Sequence, residues 1–173
     1  MSLSDKTFNL ALNYPEIIRN EKYKELLNIQ RHIYTNTYDH SLRVARLSGY
    51  IAKKLGADPE SAMKVGLLHD FCLINRHDGS YTGDESYLFK HPKDAVENSK
   101  PFSLSKVEEK AILTHMFPLA PIPTSRIGWS LTIADKIVAI YEQMHVLTSF
   151  SKVFSYRTKM PNTKFHIWKF QTY

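Results

Sequence analysis

The stretch VGLLHDF, residues 65–71, ends an apolar helical run with a histidine and an aspartate side by side. Its three aliphatic side chains indicate that this segment enters a core. A buried His–Asp pair is costly there unless other groups neutralise both side chains. The rest of the chain is therefore expected to bring compensating groups to His69 and Asp70.

The bulk composition is that of one globular domain. The 173 residues, 43% of them hydrophobic, are enough for a sizeable core. The single cysteine, Cys72, excludes a disulfide framework and indicates a reducing, cytoplasmic setting. The N-terminus lacks a basic segment followed by an apolar block, so no signal peptide is predicted. No uncharged apolar run approaches the roughly 20 residues of a membrane span.

The net charge of +6 is unevenly distributed along the chain. No acidic residue occurs from Gln143 to Tyr173, where several lysines and arginines lie among aromatic residues. We therefore expect a helical domain over residues 1–150 and a basic, aromatic tail over residues 151–173. The composition of this tail suits nucleic acid or a membrane surface. It suits equally well a tail that folds back on the helices, or a contact between subunits.

Hydrophobic periodicity predicts an almost entirely helical chain. A first helix is expected over about residues 16–34. A second helix begins with Asp39 as its N-cap and ends at Gly56. A third begins with Asp58 as its cap and Pro59 in the first helical position, and it carries the opening stretch.

Helices and loops alternate in the second half of the chain. The polar segment 75–90 is predicted to be a loop, followed by a short helix with Pro92 in its first turn. Ser105 and Glu108 have the spacing of a capping box at the start of the next helix. A proline-rich loop then precedes the last strong helix, over residues 127–147. These elements predict an all-α, single-domain helical bundle of about six to seven helices.

Several residues of the types that bind metals lie at helix ends or in apolar helix faces. Asp135 is flanked by Ile133 and Ile137, and an aspartate is hard to keep in a core without a cation. Each residue alone has a simpler explanation, since a histidine at a helix end pairs with the helix dipole and Asp135 could pair with an arginine. The combined set favours a metal site with these candidate ligands: His40, His69, Asp70, His91, His115 and Asp135.

The order of these residues resembles the HD-domain superfamily of metal-dependent phosphohydrolases. The similar stretches are YDHSLRVARLSGYIAKKLG, AMKVGLLHDF, HP, ILTHM and LTIADKIVAIYE, within residues 38–142. The resemblance implies the six-ligand, dinuclear subset, in which Asp70 bridges two divalent transition-metal ions. One ion would be held by His40, His69, Asp70 and Asp135, and the other by His91, His115 and Asp70. The mixed nitrogen and oxygen donors favour iron or manganese, with zinc, nickel or cobalt as alternatives.

The resemblance implies an enzyme that hydrolyses a small, nucleotide-like phosphate ester. A metal-activated hydroxide would be the nucleophile, and Asp70 would hold both ions. One alternative is a mixed-valence di-iron oxygenase of the same fold, because the same ligands serve both chemistries. A second alternative is a non-enzymatic, metal-bound nucleotide sensor, which the complete ligand set disfavours.

Cationic residues near the ligands are candidates for contacting the phosphate. Arg43 follows His40 by three residues and so shares its helix face, although a surface salt bridge would explain it equally well. Lys136 belongs to the ADK motif of the resemblance, although its long side chain can also simply reach water. Some members of the superfamily have a lysine where this chain has Leu73. We therefore place His77, in the polar loop, among the candidates for the leaving-group acid, together with Arg76 and Asp78.

Overall fold

The computed structural model describes residues 10–32, 35–74 and 86–158. Short elements come first: α1 (Leu10–Asn13), α2 (Pro15–Ile18), α3 (Glu21–Lys24), a 3-10 turn (Glu25–Asn28) and the antiparallel pair β1 (Gln30–His32) and β2 (Thr35–Asn36). The main helices follow: α4 (Thr37–Lys54), α5 (Pro59–Leu68), α6 (Tyr87–Asn98), α7 (Lys106–Thr114) and α8 (Arg126–Thr158). A 3-10 turn (Lys100–Phe102) separates α6 from α7. The predicted all-α fold is confirmed.

The first predicted helix, over residues 16–34, is wrong as a single element. Asn20 interrupts it, because its side chain accepts a hydrogen bond from the Tyr23 amide and starts a new helix. Beyond the 3-10 turn the chain extends into the antiparallel β1–β2 pair, in which Gln30 lies opposite Asn36. This hairpin is the structural feature that brings Arg31 towards the bundle interior.

The N-cap of helix α4 lies three residues earlier than predicted. Its N-cap is Asn36, whose side chain accepts a hydrogen bond from the backbone amide of Asp39 at 2.7 Å. Asp39 therefore lies in the first turn, where its negative charge is stabilised by the positive end of the helix dipole. The predicted end of the helix at Gly56 is confirmed, since Gly56 adopts a φ of +66°, which favours glycine.

Helices α4 and α5 form a tight antiparallel pair. Asp58 caps α5 and Pro59 is its first residue, as predicted. A Cβ atom on Gly66 would lie 2.5 Å from the Cα of Ala45, so only glycine permits this close crossing. Because of this approach, the end of α5 carries His69 next to α4.

Helix α6 begins at Tyr87, which places residues 87–90 of the predicted loop in a helix. Pro92 consequently lies inside the helix and not in its first turn. Residues 75–85 lie outside the described residues. The predicted capping box of Ser105 and Glu108 at the start of α7 is confirmed.

Helix α8 packs against α4, α5 and α7 and forms one wall of the core. Leu131 and Ala134 of α8 lie with Val44 of α4 and Leu67 of α5 in one apolar cluster. The helix continues to Thr158, beyond residue 150, and the division of the chain into a domain and a tail stays a prediction. Within the described ranges, no helix has both the length and the apolar character needed to cross a membrane.

Candidate metal centre

The bundle brings all six predicted ligands to one buried place. His40 comes from the first turns of α4, and Asp135 from the middle of α8. The remaining four lie at or near the ends of α5, α6 and α7. None of these six residues is more than 6% exposed: His40, His69, Asp70, His91, His115 and Asp135.

Three of the four histidines are held by backbone carbonyl groups through Nδ1. A carbonyl oxygen only accepts hydrogen bonds, so Nδ1 must carry the proton in each ring. The neutral ring then has a lone pair on Nε2, which is the arrangement of a metal-binding imidazole. The acceptors and distances are Gly66 for His69 at 2.8 Å, Tyr87 for His91 at 2.9 Å and Ile112 for His115 at 2.6 Å.

The fourth histidine, His40, is held by a carboxylate. Its Nδ1 lies 3.0 Å from Oε2 of Glu142, while Oε1 of Glu142 accepts a hydrogen bond from Arg43 at 2.8 Å. Glu142 is only 3% exposed. This carboxylate–histidine pair fixes the ring so that its Nε2 faces Asp135.

One group of donors surrounds Oδ1 of Asp135. Nε2 of His40 lies 3.2 Å from this oxygen, and Nε2 of His69 lies 3.7 Å from it. Nε2 of His69 is also 3.3 Å from Oδ2 of Asp70, yet it makes no hydrogen bond with any partner. A buried polar atom without a hydrogen-bond partner fits the role of a metal ligand. His40, His69 and Asp135 are close enough together to hold one ion.

A second group of donors surrounds the other oxygen of Asp70. Oδ1 of Asp70 lies 3.5 Å from Nε2 of His91 and 3.7 Å from Nε2 of His115. The two Nε2 atoms are only 3.2 Å apart. His69 also lies within ligand distance of Asp70 and His115. The two carboxylate oxygens of Asp70 thus face two different sets of histidines, as a bridging ligand would.

The electrostatics of the two groups differ. Burial, together with the neighbouring His69, lowers the pKa of His115 to about 3, and burial also lowers the pKa of His91. Both rings are therefore neutral near pH 7, and their lone pairs face each other. Burial lowers the pKa of His69 too, but the Asp70 and Asp135 carboxylates outweigh it and raise the pKa to about 9.

Both aspartates are ionised despite their burial. Burial raises the pKa of Asp70, but Arg31 and His69 outweigh it and hold the pKa well below its usual range. Burial likewise raises the pKa of Asp135, but the neighbouring imidazoles of His40 and His69 outweigh it and hold the pKa well below its usual range. The centre therefore combines two carboxylates with imidazole nitrogens, a set that suits divalent transition metals.

Arg31 is a site residue that sequence reasoning missed. Its guanidinium donates to Oδ2 of Asp70 and lies 3.3 Å from Oδ1 of Asp135. Its side chain is 21% exposed, and it reaches the centre from β1. The expected helix over residues 16–34 gave no reason to place this arginine among the ligands. Glu142, in contrast, had a usable signal, because it follows Asp135 by seven residues and so shares its helix face.

The structure places the predicted catalytic cations beside the ligands. Arg43 donates to Glu142, and its role as a phosphate contact stays a prediction. Nζ of Lys136 lies 3.2 Å from Oδ2 of Asp135 and 3.3 Å from the carbonyl oxygen of His115. Lys136 thus bonds the Asp135 oxygen that the histidines do not face. His77 lies outside the described residues.

A pocket of about 130 Å³ leads to the centre. Asp70, His91 and Arg31 form its polar floor, and Tyr87 stacks on the ring of His91 at a centroid distance of 5.0 Å. Apolar side chains complete the wall: Ile29, Ile74, Leu88 and Met116. A ligand in this pocket would therefore meet Asp70 directly.

Comparison with known proteins identifies the family. Residues 37–140 match the model of the HD domain, which is more than half of the chain. The chain therefore belongs to the HD-domain family, and the resemblance of its motifs is confirmed. The six-ligand subset stays a prediction.

Several relatives are similar over part of their length. Ribonuclease Y from Staphylococcus epidermidis is 31% identical over 135 residues, which is 77% of this chain and 24% of that protein. The glycine–tRNA ligase beta subunit of Pseudoalteromonas translucida is 31% identical over 98 residues, which is 57% of this chain and 14% of that protein. The chain thus spans only a quarter or less of the length of these relatives.

A solved structure supports the same fold. A protein described as a predicted HD superfamily hydrolase, from an uncultured Thermotogales bacterium, superposes with a TM-score of 0.54 and 24% sequence identity. The match covers 83% of this chain and 75% of that one. A likeness at this level of identity shows the fold.

Proposed function

We propose that this chain hydrolyses a nucleotide-like phosphate ester at a centre of two divalent transition-metal ions. The observation that carries the proposal is the convergence of four imidazole Nε2 atoms on the carboxylates of Asp70 and Asp135, at distances of 3.2 to 3.7 Å. The neutral rings of His91 and His115 turn lone pairs towards Asp70, and such lone pairs repel a carboxylate unless a cation lies between. Membership of the HD-domain family supports the same reading.

The chain's own residues divide the work of holding the ions. His40, His69 and Asp135 would bind one ion, His91 and His115 the other, and Asp70 would contribute one oxygen to each. Bound ions of this kind supply Lewis acidity and lower the pKa of a bound water. Glu142 orients His40 and Lys136 orients Asp135, so that the donor atoms are in place before an ion binds.

Arg31 is the cation best placed to contact the phosphate. It lines the pocket, whereas Arg43 is engaged by Glu142. Once ions hold Asp70 and Asp135, the guanidinium of Arg31 would be released towards the pocket. A planar guanidinium can bind two phosphate oxygens at once.

The pocket wall and the relatives support a nucleotide-like substrate. Tyr87, Ile29 and Leu88 form an apolar surface beside Asp70 that suits a base or a ribose. Tyr87 stacks on His91 at the edge of this surface. The relatives named ribonuclease Y make an RNA phosphodiester one candidate for the ester.

The proposal is tested by measuring metal content and hydrolysis on the same preparation. Protein purified anaerobically, without chelator, should carry about two transition-metal ions per chain. With manganese it should hydrolyse bis(p-nitrophenyl) phosphate, and then oligoribonucleotides or nucleoside monophosphates can be compared as natural esters. Asp70→Asn should abolish both readouts, and Asp58→Asn, which keeps a helix cap, should change neither.

Other results would contradict the proposal in distinct ways. Metal uptake without hydrolysis of any ester would favour the sensor. Iron content with oxygen-dependent turnover, and no hydrolysis under manganese, would favour the oxygenase. Absence of metal, with none taken up on titration with manganese or iron, would remove the metal centre altogether.

A further inference from the structure

The outward face of α8 is apolar where a surface helix is ordinarily charged. Five of the six exposed residues between positions 133 and 144 are large and apolar, and the sixth is Gln143. Their exposed fractions run from 38% to 60%. These residues are Ile133 (38%), Ile137 (48%), Ile140 (60%), Tyr141 (60%) and Met144 (59%).

The spacing of these residues is that of a coiled-coil seam. Ile133, Ile137, Ile140 and Met144 are separated by four, three and four residues, and the sequence continues the pattern three residues later with Leu147. This alternation repeats every 3.5 residues on average, which keeps one stripe facing a partner helix. A helix that only covers its own core has no need of a second apolar stripe.

The stripe lies on the side of α8 opposite the metal centre. Asp135 and Glu142 of the same turns point inwards to His40, and Val138 is buried in the core. Beside the stripe, an apolar groove of about 260 Å³ runs between α8 and α4. It is lined by Arg43, Arg46, Leu47, Ile137, Val138 and Tyr141.

We propose that this face of α8 pairs with α8 of a second copy of the chain. The 3.5-residue spacing is suited to pairing with another helix. The same stripe on a second copy of the chain has the matching spacing. Symmetric pairing places the stripe against an identical stripe, so a charged stripe would repel itself. The residues of this stripe carry no charge. The flanking groove adds a hole that can receive a side chain of the partner helix.

The length of α8 supports a helical partner. Its 33 residues span about 50 Å, whereas α4, the next longest helix, has 18 residues. Among the side chains that the structure describes, the stripe from Ile133 to Met144 offers a seam of three turns for pairing.

Sedimentation of the full-length, metal-loaded protein tests the proposal. The wild type should sediment at twice the chain mass of 20.1 kDa. Ile137→Glu should weaken association by about tenfold or more, because it buries a charge in the seam. Ile140→Glu should act in the same way, and Ile137→Leu should leave the dimer intact.

Val107→Glu is the matched control. Val107 has the same exposed fraction as Ile137, 48%, but it lies in the first turn of α7, where a new glutamate is tolerated. Helix content and manganese uptake should be unchanged in all variants, which separates loss of pairing from loss of folding.

Three outcomes would overturn the proposal. The first is a monomeric wild type at every concentration. The second is a dimer that survives both glutamate substitutions in the stripe, which would place the interface elsewhere. The third is a monomer that binds vesicles of phosphatidylcholine and phosphatidylserine and loses that binding in Ile137→Glu, which would assign the face to lipid.

Discussion

Glu108 and Asp70 are both buried carboxylates, 5% and 6% exposed, yet their neighbours are of opposite kinds. Glu108 accepts hydrogen bonds from the Ser61 hydroxyl at 2.7 Å and the Ser105 amide at 2.8 Å, with Lys64 at 3.4 Å. Asp70 faces Arg31 and three imidazoles whose Nε2 atoms have no proton to donate when the rings are neutral. These imidazoles belong to His69, His91 and His115.

The difference separates a structural carboxylate from a functional one. The chain itself supplies everything that Glu108 needs, so its burial only fixes the start of α7 against α5. The Asp70 centre gathers more acceptors than donors, so it is complete only with cations from outside. Charge balance, more than burial, therefore marks the functional site.

The largest expected effect is that of Asp70→Asn. Asparagine lacks the charge and cannot bridge two cations. Changes at groups that only orient the ligands typically cost about 10- to 100-fold in metal affinity, and the loss here should be larger, so that no bound metal is detected. Bound manganese and the manganese-induced rise in unfolding temperature measure it. Glu108→Gln is the control and should bind metal normally. Equal loss in both variants would erase the distinction between the two carboxylates.

Removing either histidine of the second donor group should remove one of the two metal ions. In His91→Ala or His115→Ala, the ion between these rings should be lost and the other kept, so the metal content falls from about two to about one per chain. Elemental analysis of the purified variants measures it. Full metal content in both variants would show that these rings do not bind an ion.

Glu142→Gln should weaken the metal centre without removing a ligand. A neutral amide holds the His40 ring less firmly than a carboxylate and makes its Nε2 a weaker donor, so metal affinity should fall by about 10- to 100-fold. Calorimetric titration with manganese measures the change. Glu109→Gln is the matched control: it lies in α7, away from His40, and should leave the manganese affinity unchanged. Unchanged affinity in Glu142→Gln would reduce Glu142 to a salt-bridge partner of Arg43.

Arg31→Gln should produce a smaller change of the opposite sign. Arg31 neutralises Asp70 and Asp135 in the absence of metal, so an incoming ion must displace it. Without it, manganese should bind about tenfold more tightly. The metal-free protein should be less stable, because two buried charges lose a partner. Arg19→Gln, at an exposed position, is the control for both measurements. Weaker manganese binding in Arg31→Gln would mean that the arginine supports the centre.

The long helices, and the places of five of the six candidate ligands on them, were predictable from local signals. Periodicity and caps define α4, α5, α7 and α8. These helices carry the five candidates at or near the predicted positions: His40, His69, Asp70, His115 and Asp135. An isolated acidic or imidazole side chain in an apolar run is a signal that needs no knowledge of the fold.

The parts that were missed depend on distant contacts. Arg31 meets Asp70 across 39 residues and Asp135 across 104, and no spacing rule connects them. The segment around Arg31 has apolar residues that satisfy both helical and strand periods, and tertiary pairing decided for the strand. Pro92 was placed in a first turn because proline favours that position, whereas the start of α6 is set by Ser86 and Tyr87 further upstream.

The smallest expected effect concerns Glu108, the structural carboxylate of the comparison, and its contribution to the free energy of unfolding. Burial raises the pKa of Glu108, but hydrogen bonds from Ser105 and Ser61 and the charge of Lys64 outweigh it and lower the pKa. A lowered pKa means that this group stabilises the fold fully above the ordinary carboxyl pKa, and that the contribution is lost as the pH falls through the lowered value. Glu108→Gln keeps the capping geometry and removes the charge, so it should cost about 1 kcal/mol near neutral pH.

Urea unfolding of metal-free protein, in wild type and Glu108→Gln, measures this contribution. The difference between them should be smaller at low pH than at pH 7, because it is lost as the pH falls from the ordinary carboxyl pKa through the lowered pKa of Glu108. Other carboxylates titrate in both proteins and cancel in the difference. A difference that is the same at both pH values would mean that shape, and not charge, holds Glu108 in place. The contrast with Asp70 would then rest on ligand geometry alone.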